Sequence, residues 1–142
     1  MADKLIRIGR VSKIDYTNGM ISVTFPDLDD ATSALLSTAS FNDEYKMPEI
    51  GDNVLTVHLP SGQARGVVLG KMWNEETNKP KKSGKTAFRK EYGHTYGEAY
   101  TEYTDGGTLT LHAPSIKFET NAGSITVAEI IALKALVDAL GE

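Results

Sequence analysis

The chain has 142 residues and a net charge of −4, with 40% apolar and 24% charged residues, the proportions of a soluble folded protein. That length supports one domain, or a small domain with an extension. Cysteine is absent, which excludes disulfides and thiolate metal sites. No apolar run approaches the roughly 18 residues of a spanning helix, and Met1-Ala2-Asp3-Lys4 leads into alternating sequence rather than the apolar core of a secretory signal.

The charge is segregated. Residues 1–76 carry −4, residues 77–90 carry +6, and residues 91–142 carry −6. The basic block contains Asn78, Pro80, Ser83 and Gly84, and reads as a linker between a domain over 1–76 and a second region.

In chain order, Leu5, Ile6, Ile8, Val11 and Ile14 alternate with polar residues and predict a strand, with Gly9 as a candidate bulge. Asn18-Gly19 is a hairpin turn, since both residues tolerate positive φ. Ile21, Val23 and Phe25 then share one face of a second strand, opposite Ser22 and Thr24, and Pro26 ends it. The acidic turn Asp27–Asp30 leads into residues 31–41, which are ambiguous between helix and strand and are read as extended. Gly51-Asp52 opens a second hairpin, with Val54, Leu55, Val57 and Leu59 on one arm and Val67, Val68 and Leu69 on the other. Five short strands with tight turns predict a closed or partly open small barrel, and closure would remove free edges.

The second region reads differently. Phe88, Tyr92, Tyr96, Tyr100 and Tyr103 are spaced by glycine and threonine over residues 86–104. Asp105-Gly106-Gly107 is a turn. Thr108–His112 alternates, Ile116–Thr120 alternates again, Asn121-Ala122-Gly123 turns, and Ser124–Thr126 is a third short run. These runs predict stacked β structure over 91–125. Each offers one thin apolar row with no second sheet to cover it, so three copies wound around a shared axis are the expected solution. A helix follows over 126–142. Thr126-Val127-Ala128-Glu129 fits a capping box, Gly141 is the stop, and Ile130, Leu133, Val137 and Leu140 follow the 3-4-3 spacing of a seam. That seam packs either on the protein's own β structure or on sister helices.

Chemistry of other kinds finds little support. His58, His94 and His112 form no His-x-His or His-x-x-x-His pair, so no metal site is expected within one chain, though a threefold axis would gather three copies of one histidine. Ser83-Gly84-Lys85-Thr86 lacks the earlier glycine of a phosphate loop, because position 79 is Lys79. Asp27, Asp29 and Asp30 lack the glycine and distal glutamate of a calcium loop and read as a solvated turn. No nucleophile with a base and an orienting group is visible, so no catalytic residue, cofactor or enzyme activity is expected. Lys79, Lys81, Lys82, Lys85, Arg89 and Lys90, with Phe88 and Tyr92, support a second reading: a barrel that binds single-stranded nucleic acid. The acidic balance of the chain and of the barrel opposes it, and nucleic acid is not the expected partner.

Two stretches carry a family resemblance. Met47-Pro48-Glu49-Ile50-Gly51-Asp52-Asn53-Val54-Leu55 and Gly66-Val67-Val68-Leu69-Gly70-Lys71-Met72-Trp73-Asn74, joined through Pro60-Ser61-Gly62, resemble the end of the barrel in baseplate assembly protein V and related central spikes of contractile phage tails. Ile6-Arg7-Ile8-Gly9-Arg10-Val11 and Met20-Ile21-Ser22-Val23 resemble its earlier strands. The resemblance covers about Ile6 to Asn74 well and the rest loosely. It implies a mainly β protein: an oligonucleotide/oligosaccharide-binding (OB) barrel, then an intertwined trimeric β-stalk and a short helix. It implies a structural role in a virion or phage-tail-like particle assembled in the bacterial cytoplasm. The partners would be sister copies, tail tube or hub and baseplate proteins, a separate tip protein and the target cell envelope. Similar architecture occurs in type VI secretion spikes. The expected trimer-packing residues are Leu109, Leu111, Ile116, Phe118, Ile125, Ile130, Leu133, Val137 and Leu140. The chain departs from longer relatives in having no lysozyme-like insert and no His-x-His tip.

Overall fold

In the computed structural model, the described residues are 5–60, 65–74 and 88–141. They divide into two compact units, one within residues 1–80 and one within residues 81–142. The boundary falls inside the basic block. Most of that block lies outside the described residues, and its last residues, Phe88 to Lys90, belong to a strand rather than a linker.

The first unit is a five-stranded barrel. Its strands are β1 (Ile6–Asp15), β2 (Met20–Phe25), β4 (Leu36–Thr38), β5 (Asn53–His58) and β6 (Gly66–Lys71), with a two-residue strand β3 (Ala31–Thr32) added outside β2. β1 pairs with both β2 and β5, which closes the circuit β1-β2-β4-β6-β5. All neighbours are antiparallel except β4 and β6, which run parallel. Residues 31–41 are thus extended, as their composition suggests, apart from a 3-10 turn at Phe41–Asp43.

The interior is Val11, Ile21, Val23, Phe25, Leu36, Met47, Val54 and Val68. Ile21, Val23 and Phe25 share the inner face, as their alternation predicts. In β5, however, the inward set is Val54, Thr56 and His58, while Leu55 and Val57 face outward. Period-two patterning misleads there, because the outward Leu55 and Val57 are more apolar than the inward Thr56 and His58.

Gly9 is not a bulge; the register break in β1 lies between Val11 and Lys13. Gly9 pairs regularly with Val54. A Cβ there would collide with Val23 Cγ1 and come within 2.7 Å of the Thr24 carbonyl oxygen. Glycine at this point lets two barrel strands approach closely.

The second unit has a three-stranded meander, β7 (Phe88–Glu91), β8 (Tyr100–Tyr103) and β9 (Leu109–His112). A hairpin follows, β10 (Lys117–Thr120) and β11 (Gly123–Thr126), and β11 runs directly into helix α1 (Val127–Leu140). Fourteen residues at ~1.5 Å each make α1 about 21 Å long. Thr126 caps it, its hydroxyl accepting from the Glu129 amide at 3.2 Å. The return bond of the expected capping box differs: Glu129 Oε1 accepts from the Thr126 hydroxyl at 3.1 Å. Gly141 is the C-cap, but in the right-handed region (φ −86°).

Candidate functional site

Among the described residues of the second unit, the only buried one is Glu102, a charged residue. The unit has ordered strands and a helix yet encloses no apolar side chain. Its surface is where its chemistry lies, and register shows how that surface is built.

In the meander, Phe88 pairs with Tyr103 and Tyr103 with Leu109; Lys90 pairs with Thr101 and Thr101 with Leu111. Side chains alternate across a strand, so these two rows share one face. Phe88, Tyr103, Leu109 and Leu111 are all exposed there, Leu109 at 69%. Tyr92 continues the face, its hydroxyl 2.6 Å from Thr101 Oγ1.

Lys90, 5.4 Å from the centre of the Tyr92 ring, is the one charge among the described residues of this face, and the opposite face holds the ion pairs. Arg89 pairs with Glu102, and Glu91 with Tyr100, which pairs with His112. Arg89 donates from Nε to Glu91 Oε1 at 2.8 Å, and its Nη1 lies 3.4 Å from Glu102 Oε1. Its guanidinium sits 3.7 Å from the centre of the Tyr100 ring, and Tyr100 stacks on His112 at 5.0 Å. Glu91 Oε2 also accepts from the Gly97 amide at 3.0 Å. Burial works against the charge on Arg89. The bonds to Glu91 and Glu102 and their negative charges outweigh it, holding the guanidinium pKa above its ordinary value. The meander is therefore inside out: its covered side is ionic and its bare side is apolar. That inverts the usual one-sided sheet, in which the apolar face is the covered one.

The remaining expected packing residues follow the same rule. Phe118 and Ile125 are cross-strand partners in the hairpin, and both are exposed. Ile116, just before β10, is half-buried, and its carbonyl accepts from the Val127 amide at 2.9 Å. Ile130, Leu133, Val137 and Leu140 lie along one side of α1 and are exposed. The helix has no buried residue, so it is not enclosed by the strands of its own unit. Its only polar residues are Glu129, Lys134 and Asp138, and Lys134 pairs with Asp138 at 2.7 Å. A helix apolar on nearly every side is normally an enclosed one. The structure thus yields three bare apolar rows, on the meander, the hairpin and the helix. Sequence reading misses Phe88 and Tyr103, which join the meander row only through register. Ile131 and Leu136 are exposed as well but lie off the 3-4-3 seam.

The barrel offers a different kind of site. A cleft of about 180 Å³ is lined by Arg7, Phe25, Leu28, Ala31 and His58, among others. Arg7 is buried and donates from Nη1 to Asp27 Oδ2 at 2.8 Å. His58 is buried edge-on to Phe25, with ring centres 5.4 Å apart. Thr56 donates its hydroxyl proton to the Arg7 carbonyl at 3.2 Å, so at 2.8 Å it accepts from His58 Nε2–H. That fixes the tautomer and leaves Nδ1 without a hydrogen bond, against Gly66, where a Cβ would come within 2.8 Å. The cleft's one guanidinium is neutralised by Asp27. Its imidazole is locked by Thr56, with the unpaired nitrogen turned to backbone.

Among the described residues, no three histidine, aspartate or glutamate side chains gather as a metal site would require, and no helix is long and apolar enough to cross a membrane. No protein-family model matches the chain, and no curated protein is significantly similar to it.

Proposed function

We propose that this chain is a structural component of a contractile phage tail or phage-tail-like particle: a homotrimeric spike or hub that caps the tube and passes on the force of contraction. The observation that carries the reading is a second unit with ordered strands and helix and no buried apolar residue among those described. Burying a large aliphatic or aromatic side chain contributes about 1.5–3 kcal/mol. Leu109, Leu111, Phe118, Ile125, Ile130, Leu133, Val137 and Leu140 therefore represent on the order of 10 kcal/mol per chain that a lone copy forgoes. Sister copies wound around one axis would recover much of it, less the cost of association.

The barrel supports the same assignment. Its closed five-stranded circuit, with β4 parallel to β6, supports reading it as an OB barrel, the module that precedes the stalk in the spikes this sequence resembles. In this reading the nine packing residues join copies together and bind no small molecule. Ile116, whose carbonyl is tied to α1, sits at the joint between hairpin and helix. Force transmission asks only that the assembly stay folded under load, and mutually wrapped strands meet that requirement. The tube or baseplate would meet the barrel, and the target envelope the second unit.

Native mass tests the proposal. Light scattering on the purified protein should give three times 15.4 kDa, about 46 kDa. A folded species of 15.4 kDa at micromolar concentration refutes it.

A further inference from the structure

One end of the barrel carries another uncovered surface, built without the second unit. Tyr16 lies in the turn between β1 and β2, and Phe41 and Tyr45 lie in the loop after β4. Tyr45 Oη donates to the Tyr16 carbonyl at 3.4 Å, and the Thr38 amide donates to the Gly19 carbonyl at 3.2 Å. Turn and loop therefore stand side by side. Met47 pins the loop by entering the barrel core. Asn42 and Asp43 hold φ near +57° and +56°, which sets the direction of the loop between Phe41 and Tyr45. All three aromatic residues stand out from this support: Tyr16 and Phe41 are 61% exposed and Tyr45 70%. None of their rings stacks on another ring among the described residues.

Carboxylates adjoin them in the chain. Asp43 and Glu44 lie between Phe41 and Tyr45, Glu49 follows in the same loop, and all three are exposed; Asp15, the last residue of β1, precedes Tyr16. Residues 39–50 contain a single cation, Lys46. Rings and carboxylates select the same kind of ligand. The face of an aromatic ring attracts a cation within about 6 Å of its centre. Carboxylates form charge-assisted bonds with guanidinium and ammonium groups. The same negative field repels a phosphate backbone.

We infer that this end of the barrel docks a cationic segment of a partner protein, with arginine or lysine heads among Tyr16, Phe41, Tyr45 and the carboxylates. The site does not depend on association of the second unit, so the two proposals fail separately.

The test uses the full-length, isotopically labelled protein titrated with a tetra-arginine peptide, with tetra-glutamate as control, read by backbone amide shifts. Tetra-arginine should shift residues 15–19 and 39–50 along a saturating curve, and tetra-glutamate should not. Phe41→Ala with Tyr45→Ala removes two exposed rings and should weaken binding about tenfold. Asp43→Lys with Glu49→Lys keeps the rings and should abolish it. Native mass should be unchanged in both variants. Shifts spread equally over Asp27–Asp30, Glu98 and Asp105 overturn the assignment. So does wild-type affinity in either variant.

Discussion

Replacing Leu133 by alanine separates a lone helix from an assembled one by energy alone. Leu133 is 57% exposed in the single chain. If the chain acts alone, the lost side chain is one that mostly faces water. Alanine is at least as good a helix former, so stability should change by no more than about 0.5 kcal/mol. If α1 packs against sister helices, Leu133 is enclosed, and truncating a buried leucine costs about 2–5 kcal/mol. Threefold symmetry repeats the loss in every copy. Even the lower bound gives about 6 kcal/mol per trimer, a roughly ten-thousand-fold weaker assembly. Ile131 is the control: two residues away, it points to the opposite side of the helix and is also exposed. Sedimentation equilibrium across a range of micromolar concentrations should show Leu133→Ala dissociating where wild type and Ile131→Ala stay associated. Equal association of the two variants at every concentration refutes the seam.

Three further outcomes concern the barrel. Gly9→Ala should lose about 1–3 kcal/mol in thermal unfolding, because the new methyl group meets Val23 and the Thr24 carbonyl. Asp27→Ala strands the buried Arg7 guanidinium and should cost about 1–3 kcal/mol, less than for a fully enclosed pair because Asp27 is part-exposed. Arg7→Met removes the buried charge and should cost less than Asp27→Ala in the same urea titration; the reverse order would refute the buried-charge account. Asp15 accepts from the side-chain and backbone nitrogens of Asn18 and from the Thr17 amide, and these bonds hold its carboxyl below the usual aspartate range. A pKa depressed by folding stabilises the folded state above the unfolded value of about 3.9, and that contribution disappears as pH falls through the folded value. The difference in urea midpoint between wild type and Asp15→Ala should be constant above about pH 5 and shrink steadily in stronger acid. A difference independent of pH would count against the carboxylate's role.

The parts of the molecule legible in the sequence are those fixed by neighbours in the chain. Asn18-Gly19 and the alternation of Ile21, Val23 and Phe25 are enough to place the first hairpin. The 3-4-3 seam with Thr126 and Gly141 places α1 to within two residues. What stays hidden depends on pairing between distant segments. Phe88-Arg89-Lys90-Glu91 has no apolar alternation of its own; it is a strand because Arg89 meets Glu102 and Phe88 meets Tyr103. The apolar rows of Leu109 and Leu111, and of Phe118, are readable by period two. That the meander turns its charged side inward is not, because it requires the register of three strands. Gly9 misleads for a related reason: glycine inside a strand signals either a bulge or a close approach, and only Val23 on the neighbouring strand β2 decides between them. The aromatic cluster at the barrel's end is equally invisible, since Tyr16 and Tyr45 are 29 positions apart.

The passage from β11 to α1 uses no loop: Thr126 is the last residue of a strand and Val127 the first of a helix. The Val127 amide is also anchored to Ile116, ahead of the hairpin's first strand. Both attachments fall at the first residue of the helix, so strand and helix meet with no spare residue between them. In the proposed spike that junction would pass an axial thrust from the helix to the hairpin.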